Sequence, residues 1–116
     1  MAVPSEKPVP EEPGTLADLH DNASHAVELL KAMANEWRLM ILCQLSEGEK
    51  TVSELQEILG LSQSALSQHL AVLRRERIVR SRKEAQSVSY SLSGDDATKV
   101  MHTLHEVFCK TQGERQ

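Results

Sequence analysis

Two cysteines, Cys43 and Cys109, stand far apart in a chain of 116 residues and are its only thiols. A thiol can pack as a small hydrophobe, ligate a soft metal, or cycle through persulfide, sulfenic acid and disulfide. No CxxC occurs, so neither a zinc ribbon nor a thioredoxin-type dithiol is present. Cys43 sits in LMILCQL, where core filling is the ordinary role, and Cys109 falls at the edge of the apolar side of a C-terminal helical pattern. His102, His105 and Cys109 follow HxxHxxxC and share one side of that helix. These three, or these with Cys43, offer ligands to zinc or another soft metal, although two histidines at that spacing equally describe a solvated flank. His20 and His25 have no convergent partner.

The second candidate chemistry is recognition of base edges. In SQSALSQHLAVLRR, Leu66, Leu70 and Leu73 fall at i, i+4 and i+7 and must face inward. The opposite face presents Gln63, Ser64, Ser67, Gln68 and Ala71. Amides and small hydroxyls there allow close approach and hydrogen bonding in a DNA major groove. Ser62 caps this helix, and His69 lies partly inward, placed to pack or to touch a phosphate. Arg74, Arg75, Arg82 and Lys83 are expected near phosphates or on a following hairpin. A formal net charge of −4 argues against nucleic acid at first sight. Residues 62–90 nevertheless carry +4 and the remainder −8, so the acidity lies outside the reading segment.

The elements that position these residues follow from pattern. All four prolines lie in the first 13 residues among glutamates, which marks residues 1–14 as a disordered tail. Residues 15–116 then form one domain. Thr15 and Asp18 suit a capping box opening a first helix, with Leu16, Leu19, Ala23, Ala26, Val27 and Leu30 on its apolar stripe. Asn35 opens a second helix to about Glu47 that is apolar nearly all round, as a buried central helix should be. Thr51-Val-Ser-Glu54 is a capping box for a third helix closed by Gly60, and Ser62 opens the fourth. Residues 78–83 and 86–92 read as a hairpin turning near Glu84-Ala85, with Val88, Tyr90 and Leu92 alternating with serine. A last helix runs from Gly94-Asp95-Asp96 to about Thr111, with Ala97, Val100, Met101, Leu104 and Phe108 on one face. The expected fold is mainly α with a small β-hairpin wing: a winged helix-turn-helix of five helices, the hairpin preceding the last.

Composition narrows the function classes. Only Trp37, Tyr90 and Phe108 are aromatic, too few for modules that stack single-stranded bases. So small a domain leaves much surface wet, and an aliphatic core makes an oligomer interface a natural supplement. No apolar run approaches bilayer length and the N-terminus lacks signal-peptide character, so a cytoplasmic protein without membrane contact is expected. There is no glycine-rich phosphate loop, nucleophile elbow or catalytic carboxylate pair, so no enzyme and no cofactor are expected.

The stretch LLKAMANEWRLMILCQLSEGEKTVSELQEILGLSQSALSQHLAVLRRERIV, followed by RKEAQSVSYSLS, resembles the ArsR/SmtB family of bacterial dimeric winged-helix repressors over residues 20–112. The resemblance implies a homodimer built on the first and last helices, with the fourth helix in the major groove of operator DNA. Trp37 departs from the basic or polar residue that many members carry there. The family's arsenic-type site needs cysteines where this chain has Thr51 and Ser53. Its zinc-type site is occupied by Gly94, Asp96, Val107 and Lys110, an incomplete set. The cysteine pair is similar to that of the sulfide- and persulfide-responsive branch. That likeness implies that Cys43 and Cys109 close a disulfide or polysulfide bridge with reactive sulfur or oxidant species, weakening DNA binding in a repressor or anti-repressor. A metal-responsive repressor using His102, His105 and Cys109, and a constitutive DNA-binding protein, are the alternatives.

Overall fold

The computed structural model describes residues 15–109. Both the proposed tail, 1–14, and the end of the last expected helix near Thr111 lie outside them. Six helices and three strands follow in the order α1 (Leu16–Asp21), α2 (Ala23–Met33), α3 (Glu36–Ser46), β1 (Lys50–Thr51), α4 (Val52–Leu59), α5 (Gln63–Arg75), β2 (Val79–Glu84), β3 (Ser87–Leu92) and α6 (Asp96–Phe108). The mainly helical winged helix-turn-helix is therefore present, with one helix and one strand more than expected.

The extra helix arises at Asn22, which divides the expected first helix. Its amide Nδ2 donates to the Asp18 carbonyl at 2.9 Å, and its backbone leaves the helical basin at φ −106°, ψ 17°. A short amide that bonds to the preceding turn competes with helix continuation. The Thr15–Asp18 capping box forms as expected, as does that of Thr51 and Glu54 on α4. Gly60 ends α4 in the left-handed conformation, φ 70°.

At the end of α5 the same left-handed turn is made by Arg77, φ 62°. The Ile78 N–H reaches the Leu73 carbonyl and the Arg77 N–H the Arg74 carbonyl, both at 2.9 Å, a Schellman closure normally built on glycine. The hairpin turns at Ala85-Gln86, one residue later than expected, because Glu84 pairs with Ser87 across it. β3 is the central strand: it pairs with β2 on one side and with the unexpected β1 on the other, Lys50 opposite Tyr90 and Thr51 opposite Ser89.

Leu66, Leu70 and Leu73 of α5 are buried, as their spacing required. They meet Ile41, Leu42 and Leu45 of α3, Leu55 of α4, Ile78 and Val79 of the wing, and Ala97 and Met101 of α6. Ile41, Leu42, Leu55, Leu66, Leu73 and Ile78 are fully enclosed, and each such side chain contributes about 1.5–3 kcal/mol. The expectation of burial all round α3 is corrected: Trp37 and Met40 are 43% and 42% exposed. Only one side of that helix meets the protomer's own core. Leu16, Leu19, Val27 and Leu30 on the first two helices and Val107 and Phe108 on the last are likewise exposed.

Candidate functional site

The α4–α5 unit presents one polar face. Ser62, Gln63, Ser64, Ser67 and Gln68 are all exposed, while the leucines opposite them anchor α5 to the core. Ser62 Oγ accepts the Ala65 N–H at 3.1 Å, fixing the N-terminus. No acid stands in the first turn of α5, whereas α1, α3, α4 and α6 carry Asp18, Glu36, Glu54 and Asp96 there. The partial positive charge of this helix end is thus left open to an external anion. Arg74 and Arg75 lie in the last turn, exposed, where they complement the other end of the dipole.

His69 is half-buried, and burial, reinforced by the Arg38 charge, pulls its pKa below the ordinary histidine value. At neutral pH it is a neutral hydrogen-bonding group rather than a cation. Arg38 itself donates from Nε to the Ala32 carbonyl at 2.6 Å and from Nη2 to the Lys31 carbonyl, closing the end of α2.

A polar cleft of ≈ 300 Å³ opens between α4, the N-terminus of α5 and the wing tip, lined by Thr51, Ser53, Gln56, Gln63, Gln86 and Ser87 among others. It gathers Gln56 and Gln86 beside Gln63, a grouping that no spacing in the chain announces.

On the wing, Lys83 is exposed, but Arg82 is engaged. Its Nε and Nη2 donate to both oxygens of Glu49, at 3.1 and 2.8 Å, and Nη1 to Glu84 at 2.8 Å. The hydrogen bond from Arg82 holds the Glu49 carboxyl below its ordinary pKa, and the two acids raise that of Arg82. Arg82 thus ties the wing to the segment before β1. Glu49 was not among the sequence candidates because 33 positions separate it from its partner.

Cys43 is half-buried on α3, Cys109 is exposed immediately after α6, and both are free. Cys43 Sγ lies 3.5 Å from Nε2 of His105. Burial pushes the Cys43 pKa up, and the nearby negative charges of Cys109 and Glu47 push it further. His102 and His105 line an apolar-walled cleft of ≈ 350 Å³ with Ser46, Glu47, Leu92 and Thr98. Among the described residues no three His, Cys, Asp or Glu side chains form a group able to hold a metal ion, so His102, His105 and Cys109 do not converge as ligands. No helix of the described residues is long and apolar enough to cross a membrane.

Comparison with known proteins agrees with this arrangement. Residues 35–81, from the N-cap of α3 into β2, match the model of the bacterial regulatory protein family arsR. The chain is 52% identical over 98 residues to the transcriptional activator HlyU of Vibrio cholerae, covering 84% of this chain and 91% of that protein. The structure titled reduced HlyU, from Vibrio cholerae N16961, superposes with a TM-score of 0.77 at 53% identity, over 82% of this chain and all of that one (100%). The transcriptional repressor BigR of Xylella fastidiosa gives 0.78 at 36% identity, over 84% and 100%. The winged helix-turn-helix fragment of Mb0332 from Mycobacterium bovis, described as homodimeric, gives 0.69 at 26% identity, over 81% and 87%. With this fold and these relatives, the chain belongs to the ArsR family of bacterial DNA-binding transcriptional regulators, a family of regulators rather than enzymes.

Proposed function

We propose that this regulator works as a homodimer on operator DNA and that the thiol state of Cys43 and Cys109 sets its operator affinity. In this reading Gln63, Ser64, Ser67 and Gln68 face bases in the major groove, Ser62 stands beside the DNA backbone, and His69, Arg74, Arg75 and Lys83 face phosphates. Arg82 chiefly orients the wing. A homodimer is supported by the exposed apolar side chains of α1, α2 and the end of α6, and by the description of Mb0332.

The observation that carries the switch is that two free thiols stand on elements that pack together: Cys43 on α3, 3.5 Å from His105 of α6, and Cys109 just past the end of α6. The exposed Cys109 thiolate attacks the outer sulfur of a low-molecular-weight persulfide, R–S–SH, forming Cys109–S–SH and releasing RS⁻. The Cys43 thiolate then attacks the inner sulfur and expels HS⁻. Two thiols are oxidised and one sulfane sulfur is reduced to sulfide. A further sulfane equivalent gives a polysulfide bridge instead. Either link pins α3 to α6 and changes the spacing of the two reading heads, which must match half-sites about 34–36 Å apart.

The test is mass spectrometry after treatment with glutathione persulfide, paired with operator binding. A Cys43–Cys109 link accompanied by loss of affinity is the expected result. A link that leaves affinity intact refutes the switch and returns the chain to a constitutive DNA-binding protein. Nothing in the arrangement of the described side chains favours the metal-responsive alternative.

A further inference from the structure

The Cys43–His105 contact has no part in groove reading, and its chemistry goes beyond the proximity of two thiols. We infer that His105 is the base that makes Cys43 nucleophilic in the bridge-closing step, so that this regulator carries its own proton acceptor for sensing. The inference rests on the thiol-switch reading and deepens it.

The geometry is a donor–acceptor pair, Cys43 Sγ 3.5 Å from His105 Nε2, spanning 62 positions of chain and joining α3 to α6. With the Nδ1–H tautomer, Nε2 accepts the thiol proton. The titratable groups that face the pair are Glu47 from α3, His102 from α6 and Cys109 just beyond it, while β3 contributes uncharged Leu92. Burial and the charges of Cys109 and Glu47 favour the protonated form of Cys43, so Cys43 rests as a thiol beside Nε2 of His105. Cys43 is therefore a poor first attacker, and exposed Cys109 takes that role.

Once Cys109 carries the persulfide, its inner sulfur is the electrophile that Cys43 must attack. Cys43–SH passes its proton to His105, giving Cys43–S⁻ and His105–H⁺. The Cys43 thiolate attacks the inner sulfur of Cys109–S–SH, the S–S bond breaks, and HS⁻ departs with the bonding pair. His105 then returns its proton to HS⁻ or to water. No oxidant beyond the persulfide is needed.

The experiment uses the full reduced chain, glutathione persulfide as the probe, and rapid-quench mass spectrometry between pH 6 and pH 10. Cys109 persulfidation is timed separately in Cys43→Ser. At pH 7 bridge closure in His105→Gln is expected to be about 100-fold slower than in the parent, the lower end of general-base assistance. The two rates should converge toward pH 10, where Cys43 ionises unaided. Persulfidation of Cys109 and operator binding by the reduced protein should be unchanged, and imidazole in the buffer should restore closure in His105→Ala.

Closure in His105→Gln with the parent's rate and pH profile overturns the role of His105 while leaving the switch intact. Absence of any Cys43–Cys109 link in the parent overturns both. Should His105→Gln fail to bind operator when reduced, the parent's own profile decides. A lower inflection in the imidazole range, about pH 6–7, supports the base, and a single inflection in the thiol range refutes it.

Discussion

Ser62 serves two roles that substitution can separate. Its hydroxyl caps α5 through the Ala65 N–H, and in the proposed complex it stands where the helix end meets the DNA backbone. Ser62→Ala removes the cap and should cost about 1 kcal/mol, a fall in Tm of about 5 °C for a domain of this size. Ser62→Asp keeps a capping oxygen and adds a charge that the helix dipole favours by about 0.3–1 kcal/mol, so its Tm should equal or exceed the parent's. In DNA binding the order reverses. A carboxylate about 5 Å from a phosphate is repelled by about 0.8 kcal/mol in water and by about 3 kcal/mol at the effective dielectric of a protein surface. Ser62→Asp should therefore bind every duplex roughly 4- to 140-fold more weakly at low salt. The loss should shrink as salt screens the pair. Thermal melts and fluorescence-anisotropy titrations at two salt concentrations read both quantities. Parent-like binding by Ser62→Asp at low salt would show that the N-terminus of α5 does not approach phosphate, and the proposed docking would be wrong.

Other outcomes follow from the same geometry. Gln68→Ala should reduce discrimination between cognate and altered operators by about 1–3 kcal/mol, read as a ratio of Kd values. Lys83→Ala should weaken all duplexes alike and flatten the log K–log salt slope by about one. Glu49→Gln releases Arg82 from its bidentate partner and should tighten sequence-independent binding. Because Glu49 is held below its ordinary pKa in the folded state, the stability it contributes is present above the unfolded value and lost as pH falls through the folded one. The protection of the wing amides against hydrogen exchange should therefore fall below about pH 4, and Glu49→Gln should abolish that dependence. Arg77→Gly should raise stability by about 1 kcal/mol, by removing a side chain from a left-handed position, as a urea titration would register.

What was legible in the chain was whatever repeats locally. The leucine spacing of α5, the two capping boxes and the serine alternation of β3 each signal within a few residues, and each formed. What escaped depends on contacts between distant residues. Lys50–Thr51 is too short to show a period and becomes a strand only because β3 lies beside it. Glu49 with Arg82, and Cys43 with His105, are pairs that folding brings together. The error at α3 has another source. Hydrophobic pattern reports that a side must be covered, not by which chain, so Trp37 and Met40 look identical to core residues until the protomer is built. Asn22 was readable in principle, since its side chain competes with the helix, but the apolar stripe passing through it hid the break.

The pairing of β1 with β3 has a consequence for how the molecule acquires its shape. Lys50 and Tyr90 are 40 positions apart, and the ladder between them closes a loop holding α4, α5 and β2. Joining the ends of so long a loop costs entropy that grows only slowly with its length, but it must be met before the reading unit is complete. Folding should thus be limited by this long-range closure rather than by helix formation, as expected where contacts are non-local. Residues 35–81, the stretch the family model spans, stop inside β2 before the closing strand begins. That stretch carries the proposed recognition surface, yet as an isolated peptide it lacks the strand that joins β1 to β2 and should not hold that surface in place. The autonomous unit of recognition is therefore longer than the segment the family model spans.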